Sequence, residues 1–226
     1  MKRERIFYLD FIRALAVILI LLTHYNALFL YMDPQPLDKV VITYKICNLY
    51  IGDFGVSLFF IISGAALMYV YENSCNLAKF YKKRFVAIYP MFWITYIIAF
   101  VIQKLVYHAD YSGIPKQNIL YTIFGFDSYY AAVKPTFFII GEWFLGCIIL
   151  FYVLFPLLRT GVNKYPKATV VVTAMIYLVF IFFYHGVFDM SKIVFVRMPE
   201  FLMGMYFIKY IKKVNLPMLV TSIIVL

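Results

Sequence analysis

Apolar residues run through this chain in blocks far longer than the core face of a globular helix. Blocks at 11–31, 55–71, 89–106, 137–158, 168–188 and 193–211 are each apolar on all sides and separated by short polar or basic stretches. About 20 apolar residues suffice to cross a bilayer as helix, so the pattern predicts six complete spans. A last apolar block starts at Leu216 and stops at Leu226. Its ~11 residues would rise about 16 Å, roughly half of a hydrocarbon core. The expectation is a truncated seventh span, within a single membrane-embedded domain over 1–226 that is incomplete at its C-terminus. The stretch "ILYTIFGFDSYYAAVK", 119–134, is too short to cross and is interrupted by Gly125, Asp127 and Ser128. Its tyrosines suit an interfacial belt, which predicts a re-entrant or interfacial segment.

Composition turns this pattern into a fold class. The chain is 65% hydrophobic and only 14% charged, with a mean hydropathy of +0.86. A soluble domain cannot hide so much apolar surface, whereas membrane-spanning helices require it. The predicted class is all-α, a polytopic transmembrane helix bundle. The opening "MKRERIFYLDFIRALAVILILL" has a basic start like a signal peptide. Its apolar run is too long, Arg13 interrupts it, and no small-residue cleavage site follows; it reads as a retained first span.

The net charge of +10 then points to membrane orientation rather than nucleic acid. With the N-terminus cytoplasmic, the inner segments hold Lys2, Arg3, Arg5, Lys79, Lys82, Lys83, Arg84, Arg159, Lys164, Lys167, Lys209, Lys212 and Lys213. The outer segments hold Lys39, Lys45, Lys104, Lys116, Lys134 and Lys192. This bias follows the positive-inside rule at every turn and predicts a multi-pass protein of the cell membrane with its N-terminus inside. Crossing at 119–134 would invert every later cluster. Cys47, Cys75 and Cys147 form no spaced framework, and the layout puts Cys47 outside and Cys75 inside. No His, Asp or Glu grouping has metal-ligand spacing.

Candidate chemistry sits where charge enters the apolar blocks. Arg13 and His24 are 11 residues apart, within ~20° of three full helical turns and about 16 Å along the axis. Arg13 alone is explained as a snorkelling anchor; His24 lies deeper, where the plain alternative is a histidine with one hydrogen-bond partner. "FFIISGA" puts Ser63 and Gly64 inside the second span, as close helix packing also would. "KKRFVAIYPMFW" gathers Lys82, Lys83 and Arg84 before Pro90; anchoring explains it, and so does a phosphate-binding patch. Glu142 precedes Trp143 at an outer edge. Trp143 fits an aromatic belt, but a carboxylate at the level His24 reaches invites a histidine–carboxylate pair. "VRMPEFLMGMY" places Arg197 and Glu200 at i,i+3, a spacing that also suits a self-neutralising pair.

In this order the motifs resemble the membrane-bound acyltransferase family 3, which includes bacterial polysaccharide O-acetyltransferases. Arg, ten residues, then His resembles its first span; "FFIISGA", "KKRFVAIYP", "WFL…FYVLFPLL" and "RMPEFLMGM" resemble four later elements. Together they cover most of 9–206. Two positions depart: Ala87 stands where members often carry a second arginine, and Ile148 where some carry a carboxylate. Family members usually have about ten spans, so the resemblance implies a chain that lacks the last third.

The resemblance implies O-acyl transfer from cytoplasmic acetyl-CoA, or another acyl-CoA, to a hydroxyl of a cell-surface glycan or lipid-linked sugar. No cofactor is resident; acyl-CoA is the donor substrate. Arg13, Lys82, Lys83 and Arg84 would bind its phosphates. His24 would act as general base or acyl carrier, with Glu142 orienting it. Arg197, Trp143 and Ser63 would meet the acceptor. The partners implied are membrane lipid, acyl-CoA and the glycan acceptor, with no nucleic acid. Two other readings stay open: a small-molecule transporter, since charged residues in spans also mark permease pathways, and a non-catalytic remnant of an acyltransferase.

Overall fold

The computed structural model describes residues 6–42, 50–137, 140, 143–211 and 216–217. Cys47, Glu142 and most of the apolar block after Leu216 lie outside the described residues. The regular elements among those described are helical: α1 (Phe7–Leu30), α2 (Ile51–Tyr71), α3 (Leu77–Leu105), α4 (Ile119–Phe124), α5 (Asp127–Tyr130), α6 (Trp143–Lys164), α7 (Pro166–Phe183) and α8 (Val194–Tyr210). Five of them, α1, α2, α3, α6 and α7, are long and apolar enough to cross a membrane. The sixth predicted span corresponds to α8, whose 17 residues rise about 26 Å. The all-helical class is as predicted; among the described residues, five helices rather than six meet the length and hydropathy of a complete span.

Several boundaries differ from the hydropathy pattern, each for a local reason. Helix α3 begins twelve residues before the predicted span. Asn76 caps it by accepting from the Lys79 backbone N–H at 3.0 Å, and the following Lys, Arg, Leu and Ala residues are good helix formers. Lys79, Lys82, Lys83 and Arg84 therefore ride on helix rather than loop. Pro90 lies inside α3 and does not end it; membrane helices tolerate such a proline where other groups take up the freed carbonyl. Phe137, predicted to open the fourth span, lies in a loop before α6 and packs against Tyr111, ring centroids 5.7 Å apart. Tyr165 alone separates α6 from α7, which opens on Pro166, a position where the missing N–H costs nothing.

The chain divides into two compact units, Met1–Glu72 with Pro199–Leu226, and Asn73–Met198. In the first, α1 and α2 pack through small residues. Gly55 of α2 lies against the Ala16 carbonyl and the Leu19 and Ile20 side chains of α1, and Gly52 against Thr23. On its other side α2 meets the C-terminal part of α8. A β-carbon at Gly64 would overlap the Phe201 carbonyl, and one at Gly204 would overlap the Ile61 carbonyl. The two backbones touch reciprocally, the close crossing that small residues permit between membrane helices.

In the second unit the α3–α6 seam is aromatic: Phe80 and Phe155, both fully buried, stack with centroids 5.3 Å apart. The predicted re-entrant stretch is the α4–α5 hairpin, broken at Gly125 in the left-handed region (φ 75°), where glycine carries no steric penalty. It hangs from α3. Trp93 Nε1 donates to the Ile123 carbonyl at 2.9 Å and Tyr89 Oη to the Phe124 carbonyl at 3.3 Å, which satisfies carbonyls left open at the end of α4. Asp127, fully buried, accepts at one carboxylate oxygen from Tyr96 Oη at 2.6 Å and Thr122 Oγ1 at 2.7 Å. A short helix pair that cannot cross is thus held by five named side chains.

Candidate functional site

Helix α1 is unbroken from Phe7 to Leu30, so the 11-residue spacing does align Arg13 and His24 on one flank. Both are exposed in this unit, beside the stripe of Leu9 and Ala16 that is buried. The Arg13 guanidinium is held by Asp10, one turn earlier, with Nη1 2.7 Å from the carboxylate. An exposed i,i+3 pair of this kind adds little stability. It orients the fork, which has five N–H donors.

Two residues beyond His24, Asn26 is fully buried. Its amide nitrogen donates to the Val41 carbonyl at 2.5 Å and to Tyr50 Oη at 2.8 Å, and its oxygen accepts from the Val41 N–H at 2.9 Å. The side chain mimics a strand partner for Val41 and ties Val41 and Tyr50 to the end of α1 nearest His24. In the same unit, Ser57 Oγ of α2 donates to Glu200 Oε1 of α8 at 2.9 Å, and Ser63 lies half-buried on α2.

The predicted phosphate-binding cations of the second unit, Lys82, Lys83 and Arg84, lie near the N-terminal end of α3. Lys82 and Lys83 are exposed, while Arg84 is half-buried. The Arg84 guanidinium carbon lies 5.6 Å from the centroid of the Tyr152 ring on α6. Trp143 opens α6, half-buried and edge-on to Phe144 at 6.2 Å. Arg197, near the start of α8, donates from Nε to the Ser191 carbonyl at 2.7 Å, so it is anchored to the turn before its own helix. Beside it, burial raises the Asp189 carboxyl, but hydrogen bonds from Ser191 and the charges of Lys192 and Arg197 outweigh this and hold it below its ordinary value.

A family model described as an acyltransferase domain matches residues 6–226. The chain belongs to this acyltransferase 3 family. Among curated proteins, the acyltransferase MdmB of Streptomyces mycarofaciens is 29% identical over 120 residues, 51% of this chain and 30% of that protein. The match thus spans less than a third of the relative's length. No solved structure matches the chain.

In this acyltransferase-family chain the predicted residues fall into two sets. Arg13, His24 and Ser63 belong to the first unit; Lys82, Lys83, Arg84, Trp143 and Arg197 belong to the second. Glu142, the predicted partner of His24, lies outside the described residues. Among those described, no three His, Cys, Asp or Glu residues gather as a metal site would require. Two apolar clefts also occur in the second unit. One of about 510 Å³ lies between α3 and α4, walled by Trp93, Ile97, Phe100 and Ile123; the other, of about 480 Å³, lies between α6 and α7. Neither is lined by a predicted site residue.

Three residues that the sequence reading did not single out hold the predicted ones or their neighbourhood: Asp10, Asn26 and Tyr152. Asp10 had a visible signal, an acid one turn before Arg13. Asn26 had a weaker one, a lone amide near the end of the first apolar block.

Proposed function

We propose that this membrane acyltransferase moves an acetyl group from cytoplasmic acetyl-CoA to a hydroxyl of a cell-surface glycan or lipid-linked sugar. Family membership, combined with the Arg13–His24 alignment on an unbroken α1, is the observation that carries the reading. The positive-inside bias favours a cytoplasmic N-terminus, which puts Arg13 and the Lys82–Arg84 cluster at the cytoplasmic edge. Cations there suit the phosphates of coenzyme A. The 16 Å from Arg13 to His24 is of the order of the pantetheine arm, so a donor anchored by its phosphates would present its thioester near the imidazole.

In the reaction, neutral His24 takes the proton of the acceptor hydroxyl as the oxygen attacks the thioester carbonyl. The tetrahedral intermediate collapses with cleavage of the C–S bond, and the leaving thiolate takes the proton from the imidazolium. Glu142 would orient the imidazole and favour its charged form. Arg197 would hold acidic acceptor groups or the developing oxyanion, with Trp143 and Ser63 lining the acceptor side.

The test is chemical. Surface glycans from a deletion strain and from the same strain carrying the gene are compared by mass. The expected result is a loss of one acetyl unit per modified residue in the deletion, restored on complementation. Identical glycan and glycolipid masses in both strains would overturn the reading.

A further inference from the structure

The segment "FYVLFPLL" of α6, 151–158, has no role in the chemistry above, yet one of its residues faces a cation that has. The Arg84 guanidinium carbon is 5.6 Å from the centroid of the Tyr152 ring. Arg84 Nε is buried and has no hydrogen-bond partner among the described residues. A buried N–H of a charged group that lacks an acceptor is costly, and the face of an aromatic ring within about 6 Å offers partial compensation through its quadrupole.

The ring is itself fixed. Phe80, fully buried on α3, meets it edge-on at 6.3 Å, and Phe80 in turn stacks on Phe155. Tyr81 adds a second tie between the helices, donating from its hydroxyl to the Val153 carbonyl at 3.3 Å. One side of the guanidinium is therefore set against a rigid aromatic floor, and its charge sits beside the exposed Lys82 and Lys83.

We propose that Tyr152 is a positioning residue: its ring holds the Arg84 guanidinium ready for a phosphate of the acyl-CoA donor. This rests on the donor reading above. Tyr152 touches no reacting atom in the proposal; it restricts the rotamers of a long side chain before the donor arrives, so less freedom is lost on binding.

The experiment measures coenzyme A affinity by calorimetry on the full-length protein in lipid nanodiscs. Arg84→Ala is expected to weaken binding about tenfold, and Tyr152→Leu about three- to tenfold. Tyr152→Phe keeps the ring and is expected to bind like the parent. In an Arg84→Ala background, Tyr152→Leu is expected to add nothing. Because Tyr152→Leu could disturb the seam, a second series replaces Tyr152 with phenylalanines carrying one, two and three ring fluorines. Affinity is expected to fall stepwise with fluorination, which drains the ring face and barely alters its shape; a packing role alone would not follow that order.

If Arg84→Ala weakens binding while the fluorinated series stays flat, the Tyr152 inference is overturned and the donor site stands. If Arg84→Ala binds coenzyme A as tightly as the parent, the placement of the donor at Arg84 is itself overturned, and this inference with it.

Discussion

Asp127 shows how much a single buried carboxylate organises. One of its oxygens takes hydrogen bonds from Tyr96 and Thr122. Asp127→Ala removes the acceptor that two buried hydroxyls share, and about 2–3 kcal/mol of stability should be lost. Asp127→Asn keeps an acceptor and should lose less than half as much. Thermal unfolding of the purified proteins in one detergent compares the two. At Asp189 the prediction concerns pH. Its folded carboxyl is held below the ordinary value, so its contribution is complete above the usual carboxylate pKa of about 3.9 and fades as pH falls through the folded value. Unfolding scans from pH 6 to pH 2 should show this loss, and Asp189→Asn should remove that part of the pH dependence. A variant that follows the parent curve would assign the acid sensitivity to another group.

At the scale of elements, the glycine contacts explain why two apolar helices meet where they do. Gly64 and Gly204 each oppose a backbone carbonyl of the other helix, so Gly64→Ala and Gly204→Ala force α2 and α8 apart. Each should cost about 1–3 kcal/mol, whereas Gly113→Ala, with nothing within 4 Å of the added carbon, should be neutral. Melting temperatures of the three variants decide it; equal shifts at Gly64 and Gly113 would contradict the packing account. The sequence already placed Ser63 and Gly64 in a span and offered close packing as one explanation, but it had no means to name Gly204 as the partner. Periodicity reports which residues share a helix, not which helices touch. The start of α3 was missed for a related reason. Hydropathy marks where lipid solvates a helix, while the Asn76 cap marks where α3 begins.

For the whole molecule, composition and block length made the helical class legible, and the order of five motifs made the family legible. The re-entrant stretch was readable because Gly125 and Asp127 break an apolar block. What anchors it was not, since the donors Tyr89, Trp93 and Tyr96 come from a span some 30 residues away. The Arg13–His24 alignment needed only helix geometry, and α1 runs unbroken through both residues; its Asn26-held loop needed three-dimensional contact. The central claim is that His24 moves the proton in acyl transfer. Membranes containing the parent protein or His24→Ala are supplied with radiolabelled acetyl-CoA, and label incorporated into glycan is counted. The account predicts a fall of at least about a hundredfold for His24→Ala, at matched protein levels in the membrane. Incorporation at the parent rate would contradict it.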